Sequence, residues 1–307
     1  MITSTLKVLS DCRQQFPKMG QIVSAPFMAF TLKAIFVFGL TVYSAHGFAE
    51  KSLKVAILDT GFCPSLAFKN PNIQIESVID VTQSNIYKCV TTTLDHPRFH
   101  GQKVLDLFSY TYPKSKTAMK LIITPVVVFN NQGVTQMSYW RQAIKLTGNH
   151  DFIISAAGFK LPTDTKSMHA LLKKTPPLTP ITLLTSGRIA PSMPKGTKLF
   201  PQELHFQENI FLIGSYHQAL FKNGTPLKDK GLFYKKHISY FFEYSGQFQA
   251  KLTGASRALA IGSSTILGLC AKKSQGQIKK LEKCMQEKRE EIPYKAVAPK
   301  PYTLKKD

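Results

Sequence analysis

Short runs of apolar and β-branched residues recur along the chain, and polar or turn-forming residues separate them. The runs lie at residues 53–58, 73–81, 121–129, 152–156, 181–184 and 210–213. Their length and their bounding turn residues are typical of strands that are buried on both faces of a sheet. Pro125 interrupts the third run, and because proline cannot donate a ladder hydrogen bond, an edge or a bulge is expected there.

Segments with a helical spacing of apolar residues lie between these runs. They are found at 100–110, 138–147 and 163–174. A buried helix rich in small residues is expected at 255–270, and a charged helix at 275–291. Because strands alternate with helices, the chain is predicted to have an α/β fold, with a mostly parallel sheet and helices on both of its faces.

The N-terminal segment has the pattern of an export signal. An apolar stretch at 34–42 follows Lys33, and small residues precede Glu50, where a signal peptidase would cut. A cleaved signal peptide is therefore expected at residues 1–49. The alternative is an uncleaved membrane anchor, because the apolar segment 25–45 is about long enough to span a bilayer.

The number and spacing of the cysteines agree with export. Cys12 lies in the expected signal, and the chain beyond it has four cysteines, Cys63, Cys89, Cys270 and Cys284. An even number suits an oxidising compartment, so a secreted or periplasmic location is expected. Of the three possible pairings, proximity along the chain favours Cys63 with Cys89 and Cys270 with Cys284.

The chain is strongly basic, with a net charge of +22. This charge favours acidic partners such as anionic lipid surfaces or cell-wall polymers, and a solvated basic surface without a partner explains it as well. No specific nucleic-acid partner is expected. The sequence has no CxxC pair and no HExxH segment, so no metal site is predicted.

Three residues in the chain order Asp, His, Ser carry the chemistry that nucleophilic acyl transfer needs. Asp59, His100 and Ser256 each lie at a junction between a predicted strand or loop and a helix. Acyl transfer of this kind uses an alcohol as nucleophile, an imidazole that takes its proton, and a carboxylate that holds the imidazole. Taken singly, each of the three residues could instead be a helix or turn cap.

The surroundings of Asp59 and His100 resemble the first two motifs of the subtilisin-like serine peptidases, or subtilases. The first motif is an aliphatic strand followed by Asp-Thr/Ser-Gly, and residues 55–61 reproduce it. The second, His-Gly-Thr-His-Val-Ala-Gly, is kept at His100, Gly101 and Val104 but not at the two positions between glycine and valine.

The surroundings of Ser256 are similar to the third motif of the family, Gly-Thr-Ser-Met-Ala-x-Pro. Gly254, Ser256 and Ala258 match it, whereas Ala260 replaces the proline. The resemblance covers roughly residues 53–271 and keeps the family's order of the three motifs. Each motif alone is weak, and their order and contexts together make the resemblance specific.

The resemblance implies an exported serine endopeptidase that hydrolyses peptide bonds through an acyl-enzyme. Ser256 would be the nucleophile, His100 the general base and then acid, and Asp59 the group that orients His100. The segment similar to the family's substrate-binding strand, where an extended peptide would pair, is Ser155, Ala156, Ala157 and Gly158.

The resemblance, together with the proline and lysine content of the last residues, indicates a domain organisation. A subtilase-like peptidase domain is expected at residues 50–291, followed by a basic flexible tail at 292–307. The domain is expected to act as a monomer on a peptide or protein substrate. Calcium is a common stabiliser in the family, but no calcium ligands can be named from this sequence, and no other cofactor is expected.

The main departure from the family lies at the oxyanion hole. Subtilases usually place an asparagine in an Ala-Gly-Asn segment, and this chain has Ser186, Gly187 and Arg188 after the corresponding strand. Loss of one such donor lowers turnover about 100- to 1000-fold. Either Arg188 serves as a cationic donor, or the alignment at this point is shifted by a few residues.

The main alternative is a subtilase fold that is catalytically weak or inactive and serves as a binding scaffold in the cell envelope. The departures at Gln102, Lys103, Arg188 and Ala260 favour this hypothesis. Retention of all three reactive residues argues against it, because a scaffold has no physical reason to keep them.

Two further hypotheses receive little support. The Asp-Thr-Gly segment at Asp59 also matches the aspartic peptidases, but a second copy is absent and the alternating strands and helices oppose an all-β fold. His96 and His100 could in principle ligate a metal from one helical turn, but Pro97 opposes a helix between them.

Overall fold

The computed structural model describes the backbone of residues 52–83, 97–187, 193–194, 196–222, 225–228, 233–243, 252 and 254–291. The predicted signal peptide and basic tail lie outside these residues, as do His96, Cys89 and Arg188. Predictions that concern those parts of the chain therefore stay predictions.

Eleven strands are formed by the described residues. They are β1 (Ser52–Asp59), β2 (Ile73–Ile75), β3 (Ile79–Asp80), β4 (Lys120–Val127), β5 (Phe152–Ser155), β6 (Phe159–Lys160), β7 (Ile181–Thr185), β8 (Leu199–Phe200), β9 (Ile210–Lys222), β10 (Thr225–Lys228) and β11 (Ile238–Glu243). The α-helices in the same part of the chain are α1 (His100–Thr111), α2 (Met137–Leu146), α3 (Thr165–Lys173), α4 (Gly254–Ser274) and α5 (Ile278–Glu291).

Nine of these strands form one sheet in the order β10-β9-β7-β5-β1-β4-β2, with β11 paired to β9 and β3 paired to β4. All pairs in this sheet are parallel except β9 with β10. Strands β6 and β8 form a separate antiparallel pair. The predicted α/β fold with a mostly parallel sheet is confirmed.

Two apolar cores lie on opposite faces of the sheet, and β1 contributes alternate side chains to both. Its residues Val55 and Ile57 pack with side chains of α1, α4 and α5, whereas Ala56 and Leu58 pack with side chains of α2 and α3. Alternation with period two is the geometric consequence of a pleated strand. The prediction of helices on both faces is therefore also confirmed, and β1 is buried from both sides.

Pro125 does not lie in an edge strand, because β4 pairs with β1 on one side and with β2 and β3 on the other. Amide groups at even positions of β4 point to β1, since Val128 donates to the Asp59 carbonyl at 2.9 Å. Pro125 therefore faces the other side, opposite the gap between β2 and β3. Proline has no amide hydrogen to donate, and at this position the hydrogen-bond ladder is already interrupted. The expected irregularity in the sheet is therefore present. The expectation of an edge strand was wrong.

The run predicted at 210–213 is only the start of the 13-residue strand β9. The polar residues that follow Ile213 hide its continuation, which pairs with both β10 and β11. In the sequence, Asn223-Gly224 separates β9 from β10, and this dipeptide is a strong signal for a hairpin turn. A search for apolar runs does not detect such a signal.

Candidate active site

Asp59 and His100 meet at the carboxyl end of β1. Asp59 is the last residue of the strand and is fully buried, and His100 is the first residue of α1. The imidazole Nδ1 lies 2.8 Å from one carboxylate oxygen of Asp59 and 3.0 Å from the other. Nε2, on the other side of the ring, therefore points away from the carboxylate, and 31% of the His100 side chain is exposed.

Backbone hydrogen bonds fix the loop after β1 against the start of α1. The Gly61 amide donates to the Arg98 carbonyl at 2.7 Å, and the Gln102 amide donates back to the Gly61 carbonyl at 3.1 Å. The Thr60 hydroxyl accepts from the Gly101 amide at 3.1 Å. These bonds involve residues on both sides of His100 in the sequence. They therefore fix the backbone of His100 and, with it, the position of the imidazole ring. The Asp59 carboxylate is itself held by the Thr60 amide at 2.7 Å.

Gly101 is required by the close approach of α1 to β1. A Cβ atom at this position would lie 2.7 Å from the ring of Phe62 and 3.0 Å from the Cβ of Asp59. Contacts this short do not occur without displacement of a neighbour, and Phe62 is buried. The glycine that follows the histidine in the sequence motif therefore has a packing reason.

Gln102, which departs from the family motif, has a structural role of its own. Its side chain is fully buried; Oε1 accepts from the Cys63 amide at 2.7 Å, and Nε2 donates to Asp106 at 2.8 Å. The same oxygen of Asp106 also accepts from the Phe68 amide at 2.9 Å. Sequence reasoning missed this link, because nothing local in the sequence pairs residue 102 with a residue 39 positions earlier.

Four influences set the pKa of His100. Burial acts to lower it, but the negative charge of Asp59 and the hydrogen bond to its carboxylate together outweigh burial, and the positive charge of Lys103 opposes them. The net result is a pKa above the usual value for histidine. An imidazole held in this way accepts a proton more readily than a free one.

Ser256 is the third residue of α4 and is partly buried. Helices α1 and α4 pack on the same face of the sheet: the hydroxyls of Thr111 and Ser264 are 2.6 Å apart, and a Cβ at Gly268 would touch Pro113 at 2.7 Å. The first contact joins the last residue of α1 to the middle of α4, and the second joins the residue after the C-cap of α1 to the same helix. Within the described residues, no hydrogen bond joins Ser256 to His100.

The segment predicted to bind substrate is partly engaged in internal contacts. The Ser155 hydroxyl is buried and donates to the Leu58 carbonyl at 2.8 Å, which ties β5 to β1. Gln202 lies against the end of the segment, since a Cβ at Gly158 would be 2.6 Å from its Oε1 and its Nε2 lies 3.4 Å from the Ala157 carbonyl. Ala156 is buried, and Ala157 and Gly158 are partly exposed.

Strand β7 ends just before the segment in which the oxyanion residue is predicted. After β7, Ser186 is fully buried and Gly187 has a left-handed backbone with φ of +75°. The Phe233 amide donates to the Gly187 carbonyl at 3.4 Å, and the next residue, Arg188, lies outside the described residues. The identity of an oxyanion donor on this segment stays a prediction.

The predicted disulfide between Cys270 and Cys284 is confirmed, and it joins α4 to α5. Cys63 is also disulfide-bonded, and its predicted partner Cys89 is outside the described part of the chain. No helix formed by the described residues has the length and apolar content to cross a bilayer. Nor do three or more His, Cys, Asp or Glu side chains gather there as a metal cluster, and calcium binding stays untested.

No protein-family model and no curated protein matches the chain. Solved structures do match it. A lanthipeptide protease aligns with a TM-score of 0.51 and 13% identity, covering 75% of this chain and 78% of that one. An S41 psychrophilic protease aligns with a TM-score of 0.52 and 14% identity, and sphericase with 0.50 and 13%; each covers 80% of this chain and 87% of its own. From its sheet, its helical layers and these likenesses, the chain has the subtilisin-like protease fold.

Proposed function

We propose that this protein is an exported serine endopeptidase that cleaves extended peptide segments. Ser256 is the nucleophile, His100 the general base and then acid, and Asp59 the group that orients the imidazole. The observation that carries the proposal is the buried Asp59 carboxylate bonded to Nδ1 of a partly exposed histidine, at the carboxyl edge of the sheet. Reactive groups in open parallel sheets gather at this edge.

The orientation of His100 suits the first step of acyl transfer. Since Nδ1–H donates to Asp59, the lone pair of the ring is on Nε2, which takes the hydroxyl proton of Ser256 as its oxygen attacks the substrate carbonyl. The resulting imidazolium is stabilised by the Asp59 charge and then gives its proton to the leaving amine. Water, activated by the same histidine, hydrolyses the acyl-enzyme and restores Ser256.

Helix packing supports the place given to Ser256. From Thr111 back to His100, α1 spans about 16 Å, and from Ser264 back to Ser256, α4 spans about 12 Å, at the rise of an α-helix. Both helices pack on the same face of the sheet, and they meet at the Thr111–Ser264 contact. The proposal places the first turns of both helices, with the nucleophile and the base, at one edge of the sheet.

The start of α4 also suits stabilisation of a developing negative charge. The first amides of a helix lack intrahelical acceptors, and the helix dipole adds positive potential at this end. With 21 residues, α4 is a long helix, and Ser256 lies in its first turn. The Ser256 amide is therefore a donor for the oxyanion of the tetrahedral intermediate, whatever group replaces the usual asparagine.

The fold and the segment after β5 support a peptide as substrate. Two of the three similar structures are named as proteases. An extended peptide would pair with residues 155–158, where Ala157 and Gly158 remain partly exposed. Export is supported by the N-terminal pattern and by the disulfides, which persist in oxidising compartments.

A binding scaffold of the same fold is the second candidate. It is favoured by the contacts of Gln202 and Phe200 with Gly158, which cover part of the segment expected to receive the peptide. A scaffold would hold a partner through the remaining surface without turnover.

Hydrolysis of fluorogenic peptides by the purified protein, with its signal removed, distinguishes the two candidates. We expect the wild type to cleave peptides and Ser256→Ala to lose at least about 1000-fold in kcat, because removal of one triad member disables the whole unit. Ser138→Ala, at an exposed serine on α2, is the matched control and retains activity. A folded wild type without hydrolysis, or a Ser256→Ala variant with full activity, contradicts the proposal.

A further inference from the structure

His205 and His237 form a pair on a part of the fold that the proposed reaction does not use. His205 follows the 3-10 helix Gln202–Leu204, and His237 ends the 3-10 helix Lys235–His237. Their ring centroids are 4.2 Å apart, at an interplanar angle of 46°. His205 is partly exposed and His237 is exposed, so the pair is open to solvent on one side.

The ring of His205 is fixed in an orientation that leaves one nitrogen for a ligand. Its Nδ1 lies 3.1 Å from the Gln202 carbonyl oxygen, to which it donates. A hydrogen bond of this type fixes the tautomer, with the lone pair on Nε2. Metal-binding histidines almost always anchor the second ring nitrogen in this way, on a carbonyl or a carboxylate.

Contacts around the pair bring the two segments together without help from a metal. The Tyr234 hydroxyl donates to Glu203 at 2.9 Å and accepts from the Leu199 amide at 2.9 Å. The Tyr234 ring also packs on His205, with centroids 4.9 Å apart. A site whose segments are already in place loses less conformational entropy when a ligand binds.

We propose that His205 and His237 form a two-histidine site for a divalent transition-metal ion of the zinc and copper class. Imidazole nitrogens are preferred ligands of these ions. A tetrahedral zinc with nitrogen ligands at about 2.0–2.1 Å holds two ring centroids about 5 Å apart. The present centroid distance of 4.2 Å is about 1 Å shorter than this value, and rotation of the exposed His237 side chain would turn a ring nitrogen toward the ion.

Water completes the coordination of the ion. In the part of the chain that the structure describes, no third His, Cys, Asp or Glu side chain joins the pair as a metal-binding group. Glu203 is already engaged by Tyr234 and by Lys198, whose Nζ is 2.5 Å from its carboxylate. The site is thus open, and its occupancy depends on the concentration of metal around the protein.

A bound ion would connect two chain segments that both contact the surroundings of the predicted cleft. Gln202 lies against Gly158, and Phe233, which precedes the second segment, donates to the carbonyl of Gly187. The consequence is a cross-link that stabilises the folded state by mass action, because the two histidines are not held together in the unfolded chain.

Titration of the purified, metal-free protein with zinc chloride tests the proposal by calorimetry and thermal unfolding. We expect one zinc per chain and a zinc-dependent rise in Tm. His205→Ala and His237→Ala should each weaken zinc binding about tenfold or more and abolish the Tm shift. His169→Ala, at an exposed histidine on α3, is the control and should bind zinc as the wild type does.

The zinc-binding experiments and the peptide-hydrolysis experiments test the two proposals independently. Ser256→Ala should bind zinc normally, so failure of peptide hydrolysis leaves the metal site untouched, and the reverse also holds. Far-UV circular dichroism of the metal-free variants checks that they fold. Zinc binding that survives His237→Ala, or no saturable binding by the wild type, overturns the site and leaves the two rings as a packing contact only.

Discussion

At the scale of single residues, the proposed chemistry depends on how His100 is held and charged. Its ring is bonded to the buried Asp59, and its pKa is raised because that charge and that hydrogen bond outweigh burial and the repulsion from Lys103. A general base must be neutral to take a proton, so activity requires a pH above this raised pKa. The acid limb of the pH profile therefore reports directly on the environment of the ring.

Replacement of Lys103 should move this limb in a defined direction. Lysine at 103 lowers the pKa of His100, so Lys103→Gln raises it further, and a higher pH is then needed for the neutral base. The acid limb of kcat/KM shifts to higher pH, with little change in the plateau. Lys145→Gln, at an exposed lysine on α2, is the control and should leave the profile unchanged. A shift to lower pH would contradict this account of the electrostatics.

Gly101 tests the packing that positions the ring. A Cβ in Gly101→Ala meets Phe62 at 2.7 Å, so we expect a loss of about 1–3 kcal/mol in unfolding free energy, together with reduced kcat as His100 is displaced. Urea unfolding measures the stability. Gly148→Ala is the control, because its nearest neighbours lie at 3.6 Å, an ordinary contact distance. Equal stability of the two variants would show that the approach of α1 to β1 is looser than described.

The sequence predicted the identity of the paired residues better than the reasons for their placement. Asp59 and His100 could be selected because their short contexts are local in the sequence. The hydrogen bond that the Cys63 amide donates to Gln102 and the approach of Gln202 to Gly158 depend on residues that are distant in sequence. Such contacts arise only once the sheet has formed, so the sequence shows Gln102 only as a departure from the family motif, although its side chain supports the loop next to Asp59.

At the scale of elements, apolar periodicity predicted the helices closely, because each buries one continuous stripe on the sheet. The prediction at 100–110 became α1, and that at 138–147 became α2, each within one residue at either end. Strands that contain both apolar and polar residues were harder to predict. The later part of β9 and the strands β10 and β11 carry polar residues, and their pairing is decided by neighbouring strands and not by local composition.

The Cys270–Cys284 disulfide should stabilise the α4–α5 pair. It closes a loop with a sequence separation of 14 residues, and a loop of this length is worth about 3 kcal/mol in the chain-entropy account. The double variant Cys270→Ala/Cys284→Ala is therefore expected to lose about 3 kcal/mol of unfolding free energy and to unfold at a lower urea concentration. Activity at 25 °C should persist, since Ser256 lies at the other end of α4. An unchanged unfolding midpoint would show that helix packing alone fixes the pair.

At the scale of the whole molecule, the parallel sheet brings distant parts of the chain to one edge. Asp59 ends the interior strand β1, and α1 and α4 pack on the same face of the sheet with His100 and Ser256 in their first turns. Alternation of strands and helices was enough to predict this architecture from the sequence. The distances between residues at this edge could not be predicted from the sequence, because they depend on loop contacts and on the crossing of two helices.

The most direct test of the proposed triad is the site of covalent labelling by a fluorophosphonate, located by mass spectrometry of the purified protein. Such reagents modify a serine only when a neighbouring base activates it. The account predicts one adduct, on Ser256, that is lost in both Ser256→Ala and His100→Ala while Ser138→Ala labels normally. A well-folded wild type that remains unlabelled, or an adduct on a different serine, would contradict it.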